Sequence, residues 1–173
     1  MVSVAPFEPF PSPRQNSLLG ALPDTDYLRL LPELKPISMQ LGEVLYEAGG
    51  QLAHVYFPTT SIVSLLYVMK NGESAEIAIA GNEGLVGIAL IMGGETTPSR
   101  AVVQCAGQAF RMAPRVLKLE FDRGGAVQGL FLRYVQALIT QRCRPPRATV
   151  ITPWSSSSAA GSCSVSIGCR RTS

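Results

Sequence analysis

The stretch IVSLLYVMKNGESAEIAIA, residues 62–80, decides the fold. Two runs rich in β-branched and apolar residues, 62–69 and 74–80, flank the dipeptide Asn71-Gly72. Asn and Gly both tolerate the positive φ of a type I′ turn, which matches the twist of two paired strands. The stretch therefore predicts an antiparallel β-hairpin.

Further short runs of the same kind lie on both sides of this hairpin. They read ISMQLGEVLY at 37–46, HVYFP at 54–58 and AVVQCAGQAFRM at 101–112, with Gly or Pro between them. Short strands that recur about every ten residues with turn signals between them are typical of an antiparallel sandwich or barrel. The chain is therefore predicted to be mainly β.

Helical patterns flank the β region on both sides. Residues 16–34 predict one short amphipathic helix with Asp24 as its N-cap after Pro23, and residues 114–122 begin with a proline where the first turn of a helix favours it. Residues 124–141 predict a longer helix. Its apolar stripe must pack either on its own sheet or on the same helix of a partner. The stripe consists of Val127, Leu130, Phe131, Tyr134, Leu138 and Ile139.

Composition and charge narrow the class of protein. The chain has 173 residues, of which 46% are hydrophobic, enough for one domain with its own core. Residues 1–141 hold 10 basic and 12 acidic groups, a net charge of −2, because five of the 15 basic residues lie from Arg142 onward. A nucleic-acid patch on this part is therefore not expected. The absence of a signal peptide and of a membrane-length apolar run predicts a soluble, cytoplasmic protein.

Three strings occur in these segments, in the order LGEVLYEAGGQLAHVYFP, GNEGLVGIALIMGG and SRAVVQCAGQAFRM. Together with the order of the segments, they resemble the sensor half of the cyclic AMP receptor protein/FNR family of bacterial transcription regulators. The resemblance covers about residues 16–141. It implies a double-stranded β-helix, or jelly-roll, that binds an effector over 16–123, and a dimerisation helix over 124–141. It also implies a homodimer and, in the family, a C-terminal winged helix-turn-helix that binds DNA. The implied dimer interface is Val127, Leu130, Phe131, Tyr134 and Leu138.

The resemblance places an effector site in and after the glycine-rich insert at 81–99. In the family, a Gly-Glu pair binds the ribose of a cyclic nucleotide, and an Arg followed by Ser or Thr holds its phosphate. Here Gly87-Ile88 lacks the carboxylate and Arg100 follows Ser99, so a cyclic nucleotide is disfavoured; a ribose hydroxyl left without a partner costs about 1–3 kcal/mol. Another small effector stays open. The candidate effector-binding residues are Glu83, Gly84, Gly87, Ser99, Arg100 and Ala101. The alternative interpretation is that Glu83 is a solvated acid in a turn and that Arg100 is a surface cation.

Enzymatic and metal chemistry have little support in the sequence. A metal-dependent cupin-like enzyme, whose barrel is similar, needs several His and carboxylate ligands, yet His54 is the only histidine. Cys105, the only cysteine before residue 143, cannot by itself hold an iron–sulfur cluster and is predicted to be a buried, inert thiol. We therefore predict no catalytic residue, no metal ligand and no cofactor. A standalone cyclic-nucleotide- or anion-binding module is the main alternative, and the cupin-like enzyme is the weaker one.

The two ends of the chain differ from the rest. Residues 1–15 contain four prolines and predict a flexible leader. Residues 142–173 contain eight serines but no Leu, Lys, Asp or Glu, so they cannot form an amphipathic helix-turn-helix and predict a disordered tail. Their composition is typical of a GC-rich gene read out of frame. The hypothesis is that a one-nucleotide shift near Arg142 replaced the DNA-binding domain; a natural Ser-rich tail on a standalone sensor is the rival explanation.

Overall fold

The structure is a computed structural model and describes residues 10–69, 74–94 and 96–142. The Asn71-Gly72 turn, most of the predicted leader and all but the first residue of the predicted tail lie outside these ranges. The helices are α1 (Ser17–Gly20), α2 (Asp24–Leu30), α3 (Pro114–Asp122) and α4 (Gly125–Arg142). The strands are β1 (Lys35–Met39), β2 (Val44–Tyr46), β3 (Val55–Pro58), β4 (Ile62–Val68), β5 (Ser74–Ala80), β6 (Ser99–Cys105) and β7 (Gly107–Met112).

The seven strands of the described residues form two antiparallel sheets. One has the order β1-β7-β3 and the other β2-β6-β4-β5. The pairing of β4 with β5 confirms the strands of the predicted hairpin. Two of the predicted runs, 37–46 and 101–112, each contain two strands that belong to different sheets. The chain therefore crosses between the sheets within each run, which closes them into a roll.

Two apolar cores lie on opposite faces of the three-stranded sheet. The core between the sheets, here called the roll interior, includes Met39, Tyr56, Val63, Leu65, Ala101, Val103 and Ala109. The core between this sheet and the helices includes Leu19, Leu30, Val55, Phe57, Phe110, Met112, Leu117, Val127 and Phe131. Successive residues of a strand point to opposite faces, so β3 contributes Tyr56 to the roll interior and its two neighbours to the helical core.

The first turns of the helices differ from the prediction at α2 and agree with it at α3. Asp24 is the first residue of α2, and Pro23 occupies the cap position without a side-chain bond, so the predicted Asp24 cap is wrong. The side-chain cap in this region is Asn16, whose Oδ1 accepts hydrogen bonds from the amides of Leu18 (3.2 Å) and Leu19 (3.3 Å) at the start of α1. Pro114 lies in the first turn of α3, as predicted.

The apolar stripe of α4 packs mainly on the chain itself. Val127 and Phe131 are fully buried in the helical core, and Leu130 and Tyr134 pack against it. Of the two alternatives that the sequence leaves open, packing on the chain's own sheet therefore accounts for these four residues. The exposed side of α4 carries two other apolar residues, Leu132 and Ile139.

Candidate functional site

The glycine-rich insert connects β5 to β6 across one end of the roll. Asn16, which is completely buried, donates from Nδ2 to the carbonyls of Gly84 (2.8 Å) and Pro58 (2.9 Å). Val86 exchanges two backbone hydrogen bonds of 2.9 Å with Tyr56 and so extends the three-stranded sheet. The centre of the insert is therefore bound to the cap of α1 on one side and to β3 on the other.

The residue between these two contacts, Leu85, is bound by the long helix. The Tyr134 hydroxyl of α4 accepts a hydrogen bond from the Leu85 amide and donates one to the Leu85 carbonyl, both at 3.1 Å. Burial raises the pKa of Tyr134 above its usual 10, so the hydroxyl keeps its proton at neutral pH. We call this pair of bonds the Tyr134–Leu85 clasp. It is the direct polar link between the insert and α4 among the described residues.

Gly84 is required by the same contact. A Cβ at this position would lie 2.5 Å from the Tyr134 hydroxyl oxygen and 3.2 Å from its ring carbon Cζ. Any larger residue would therefore push the tyrosine away from Leu85. Gly84, one of the predicted effector residues, thus lies where the insert contacts α4.

The remaining insert candidates lie at two turns. Gly87 has φ = 101° and begins a 3-10 turn, Ile88–Leu90, whose Ile88 packs against the helical core. A left-handed φ favours glycine, and a Cβ at this position would lie 3.2 Å from the His54 carbonyl oxygen, so both the backbone conformation and the close contact favour glycine here. Glu83 is exposed and its Oε1 accepts a hydrogen bond of 3.2 Å from the Gly81 amide. The Glu83 carboxylate is therefore held at the Gly81 turn.

The three candidates on β6 do not converge. Ser99 and Ala101 are buried on the face toward the roll interior, whereas Arg100, between them, points to the opposite face. There its Nε lies 3.1 Å from Glu47 Oε2, without the alignment of a hydrogen bond. A cyclic nucleotide in the roll interior would meet neither a ribose-binding carboxylate at Gly87-Ile88 nor Arg100. Within the described residues, these positions do not supply the ribose and phosphate contacts expected for that ligand, and the effector-binding set stays a prediction.

The described residues also bear on a metal site, a membrane span and the position of the only histidine. Within them, no group of three or more His, Cys, Asp or Glu side chains lies close enough together to hold a metal ion. No helix in the described ranges is long and apolar enough to cross a membrane. His54 lies just before β3, partly buried, with its ring centroid 6.1 Å from that of Tyr56.

The fold is similar to that of solved domains from bacterial proteins. No protein-family model matches the sequence, and no curated protein sequence matches it. The N-terminal domain of a transcriptional regulator from Streptomyces coelicolor superposes with a TM-score of 0.56 and 19% identity, over 75% of this chain and 90% of that one. The sensor domain of the transcriptional regulator DNR from Pseudomonas aeruginosa gives 0.57 and 14%, over 72% and 81%.

A third structure has a name that states its ligand class. A cyclic nucleotide-binding domain from Methylobacillus flagellatus superposes with a TM-score of 0.59 and 13% identity, over 75% of this chain and 76% of that one. At these identities the likeness is one of fold. The chain therefore has the β-roll fold of these domains, and the predicted resemblance to the cyclic AMP receptor protein/FNR family is confirmed at the level of fold.

Proposed function

We propose that this chain is the effector-sensing domain of a bacterial transcription regulator of the cyclic AMP receptor protein/FNR type. The fold supports the class, and the Tyr134–Leu85 clasp carries the proposal. A sensor must connect its ligand-binding segment to the element that reports binding. Here two hydrogen bonds of a single hydroxyl join the insert to α4, since the Tyr134 hydroxyl accepts from the Leu85 amide and donates to the Leu85 carbonyl.

The clasp gives α4 two alternative states. A ligand at the insert that moves Leu85 breaks both bonds at once, because both partners belong to one residue. The ring of Tyr134 is then free to repack, and α4 moves with it. A ligand shifts such an equilibrium only by its difference in affinity for the two states. Effectors of this domain therefore bind the clasped and unclasped forms with different affinities.

Amide hydrogen exchange with and without candidate effectors tests this coupling. Cyclic AMP, cyclic GMP and cyclic di-GMP are titrated by calorimetry together with small anions. A compound that binds is expected to change exchange at Leu85 and along α4 in the wild type. In Tyr134→Phe the compound still binds, but α4 no longer responds. Binding that leaves α4 unchanged in the wild type would instead support the standalone binding module.

The proposed output includes pairing of two subunits through α4. Since Val127 and Phe131 are used by the chain's own core, we assign the contact to the outward face, where Leu132 and Ile139 are 53% and 51% exposed and lie seven residues apart. Apolar residues at this spacing form the contact of paired helices. Leu138, from the predicted interface, is partly buried and lies beside this face.

We further propose that residues 142–173 do not bind DNA. Their lack of leucine and of acidic residues supports the out-of-frame origin. The nucleotide sequence across codons 138–150 tests that origin directly. A mobility-shift assay on promoter DNA is expected to show no specific retention by this chain, and specific retention would contradict the proposal.

A further inference from the structure

A basic cluster lies around Tyr56, beside the glycine-rich insert, because Tyr56 pairs with Val86 and a Cβ at Gly87 would lie 3.2 Å from the His54 carbonyl oxygen. The pairing of β7 with both neighbours places Arg111 between Lys35 of β1 and Tyr56 of β3. Tyr56 and Ala109 face the roll interior, and alternation along β7 places Arg111 on the same face as Ala109. Lys35, His54 and Arg111 thus surround the Tyr56 side chain; we call these three residues the basic cluster.

The charges of this cluster have no acidic partner among the described residues. The ion pairs found there use Arg14, Arg29, Arg100 and Arg123, and none includes Lys35 or Arg111. The Arg111 Nε atom is buried and, within the described part of the chain, has no hydrogen-bond partner. A buried donor without a partner is unfavourable, and the cost is larger for a charged group. An acceptor supplied from outside the chain would remove this cost.

The electrostatics of His54 and Tyr56 agree with this geometry. Burial is the largest cause that lowers the pKa of His54, and the charges of Arg111 and Lys35 lower it further. Burial also raises the pKa of Tyr56, while Arg111 lowers it and Glu43 raises it. Glu43 is thus the acid whose charge reaches Tyr56, and it instead accepts a hydrogen bond of 2.9 Å from the Gln40 amide.

We propose that the basic cluster binds a small oxyanion, a phosphate or carboxylate group, at the Tyr56 end of the roll interior. The planar guanidinium of Arg111 presents donors that match the geometry of such groups, and the Tyr56 hydroxyl and Lys35 ammonium add further donors. This inference rests on the proposed sensor function in one respect: the oxyanion is the sensed effector or its charged part. The site adjoins Gly87 of the predicted set but uses Arg111 as its guanidinium, because Arg100 faces the other way.

The only histidine of the chain provides a specific probe. Sulfate is titrated into the intact protein while the His54 ring is observed by NMR, because sulfate keeps its charge between pH 5 and 8. Sodium chloride of equal ionic strength is the reference. Sulfate is expected to shift the ring signals in a saturable manner and to raise the pKa of His54 above its value in chloride, since a bound anion favours the imidazolium.

Arg111→Gln is the test variant and Arg115→Gln the matched control, because Arg115 is exposed on α3 and the two variants lose the same charge. Loss of a charge-assisted pair weakens sulfate binding by about tenfold or more in Arg111→Gln. Arg115→Gln is expected to bind as the wild type does. Lys35→Gln, at an exposed strand start, provides a second variant should Arg111→Gln fail to fold. Competition by methyl phosphate and by acetate then identifies the preferred head group.

Three results would overturn the inference: equal shifts in sulfate and chloride, equal affinity in the Arg111 and Arg115 variants, or no effect of Lys35→Gln. Exchange at Leu85 is measured on the same samples and separates this inference from the proposed function. Sulfate binding without a change at Leu85 keeps the site and counts against its role as the sensed effector. Absence of sulfate binding, with a response of α4 to another ligand, rejects the site and keeps the sensor.

Discussion

Replacement of Tyr134 by Phe measures the strength of the clasp. The change keeps the aromatic ring and removes both hydrogen bonds to Leu85, a residue that is only 1% exposed. Each lost bond costs about 0.5–1.5 kcal/mol, and a buried peptide group left without a partner raises this to about 1–3 kcal/mol. We expect the free energy of unfolding to fall by about 2–3 kcal/mol. With an m-value of about 1.5–2 kcal/mol/M, the urea midpoint falls by about 1–2 M.

Amide exchange locates the effect, and a second tyrosine controls for it. The Leu85 amide is expected to exchange about thirtyfold faster or more in Tyr134→Phe, which corresponds to about 2 kcal/mol. Tyr67→Phe removes the same hydroxyl at a position that is 45% exposed on β4, and should change stability by less than about 0.5 kcal/mol. If the two variants have the same urea midpoint, or if Leu85 remains as protected as in the wild type, the clasp does not hold the insert.

Three further predictions concern the same surfaces. Gly84→Ala is expected to lower the free energy of unfolding by urea by about 1–3 kcal/mol, because its Cβ would lie 2.5 Å from the Tyr134 oxygen. The loss should be smaller in the Tyr134→Phe background, and strictly additive losses in the double variant would contradict the contact. Burial raises the pKa of Tyr134, so the unfolded chain loses the hydroxyl proton at a lower pH than the folded chain does, and stability falls as pH rises above 10. This fall should be shallower in Tyr134→Phe, and an unchanged dependence of stability on pH would count against burial of the hydroxyl. Leu132→Glu with Ile139→Glu is expected to convert a dimer to a monomer in sedimentation equilibrium while keeping the fold, and a dimer that survives both changes would place the contact elsewhere.

Much of the fold could be predicted because its signals are local. The strands at 62–68 and 74–80 follow from β-branched content and a turn dipeptide between them, and α4 follows from apolar spacing. The split of residues 37–46 into β1 and β2 could not be predicted. Each half of that run has the same propensity, and only pairing with β7 or with β6 assigns it to a sheet.

The contacts of the glycine-rich insert could not be predicted from the sequence, and the effector site itself stays a prediction. The glycine-rich composition identified the insert, whereas Asn16 was missed, although an asparagine before SLLG is a possible helix cap. Tyr134 was predicted for the apolar stripe, and nothing in that stripe indicated its hydroxyl bonds. The charge of Arg100 and its place beside Ser99 predict an anion ligand, whereas alternation along β6 places Arg100 on the opposite face from Ser99.

The sequence by itself therefore determined where most strands and helices lie and which faces of them are apolar, because these features depend on neighbours a few positions away. Only the tertiary structure decided which polar groups meet. Tyr134 is 49 residues from Leu85, and Asn16 is 68 residues from Gly84. Arg111 reaches Lys35 and Tyr56 only through strand pairing. Contacts at such separations leave no periodicity in the sequence, because the chain forms them only when the two sheets close into a roll.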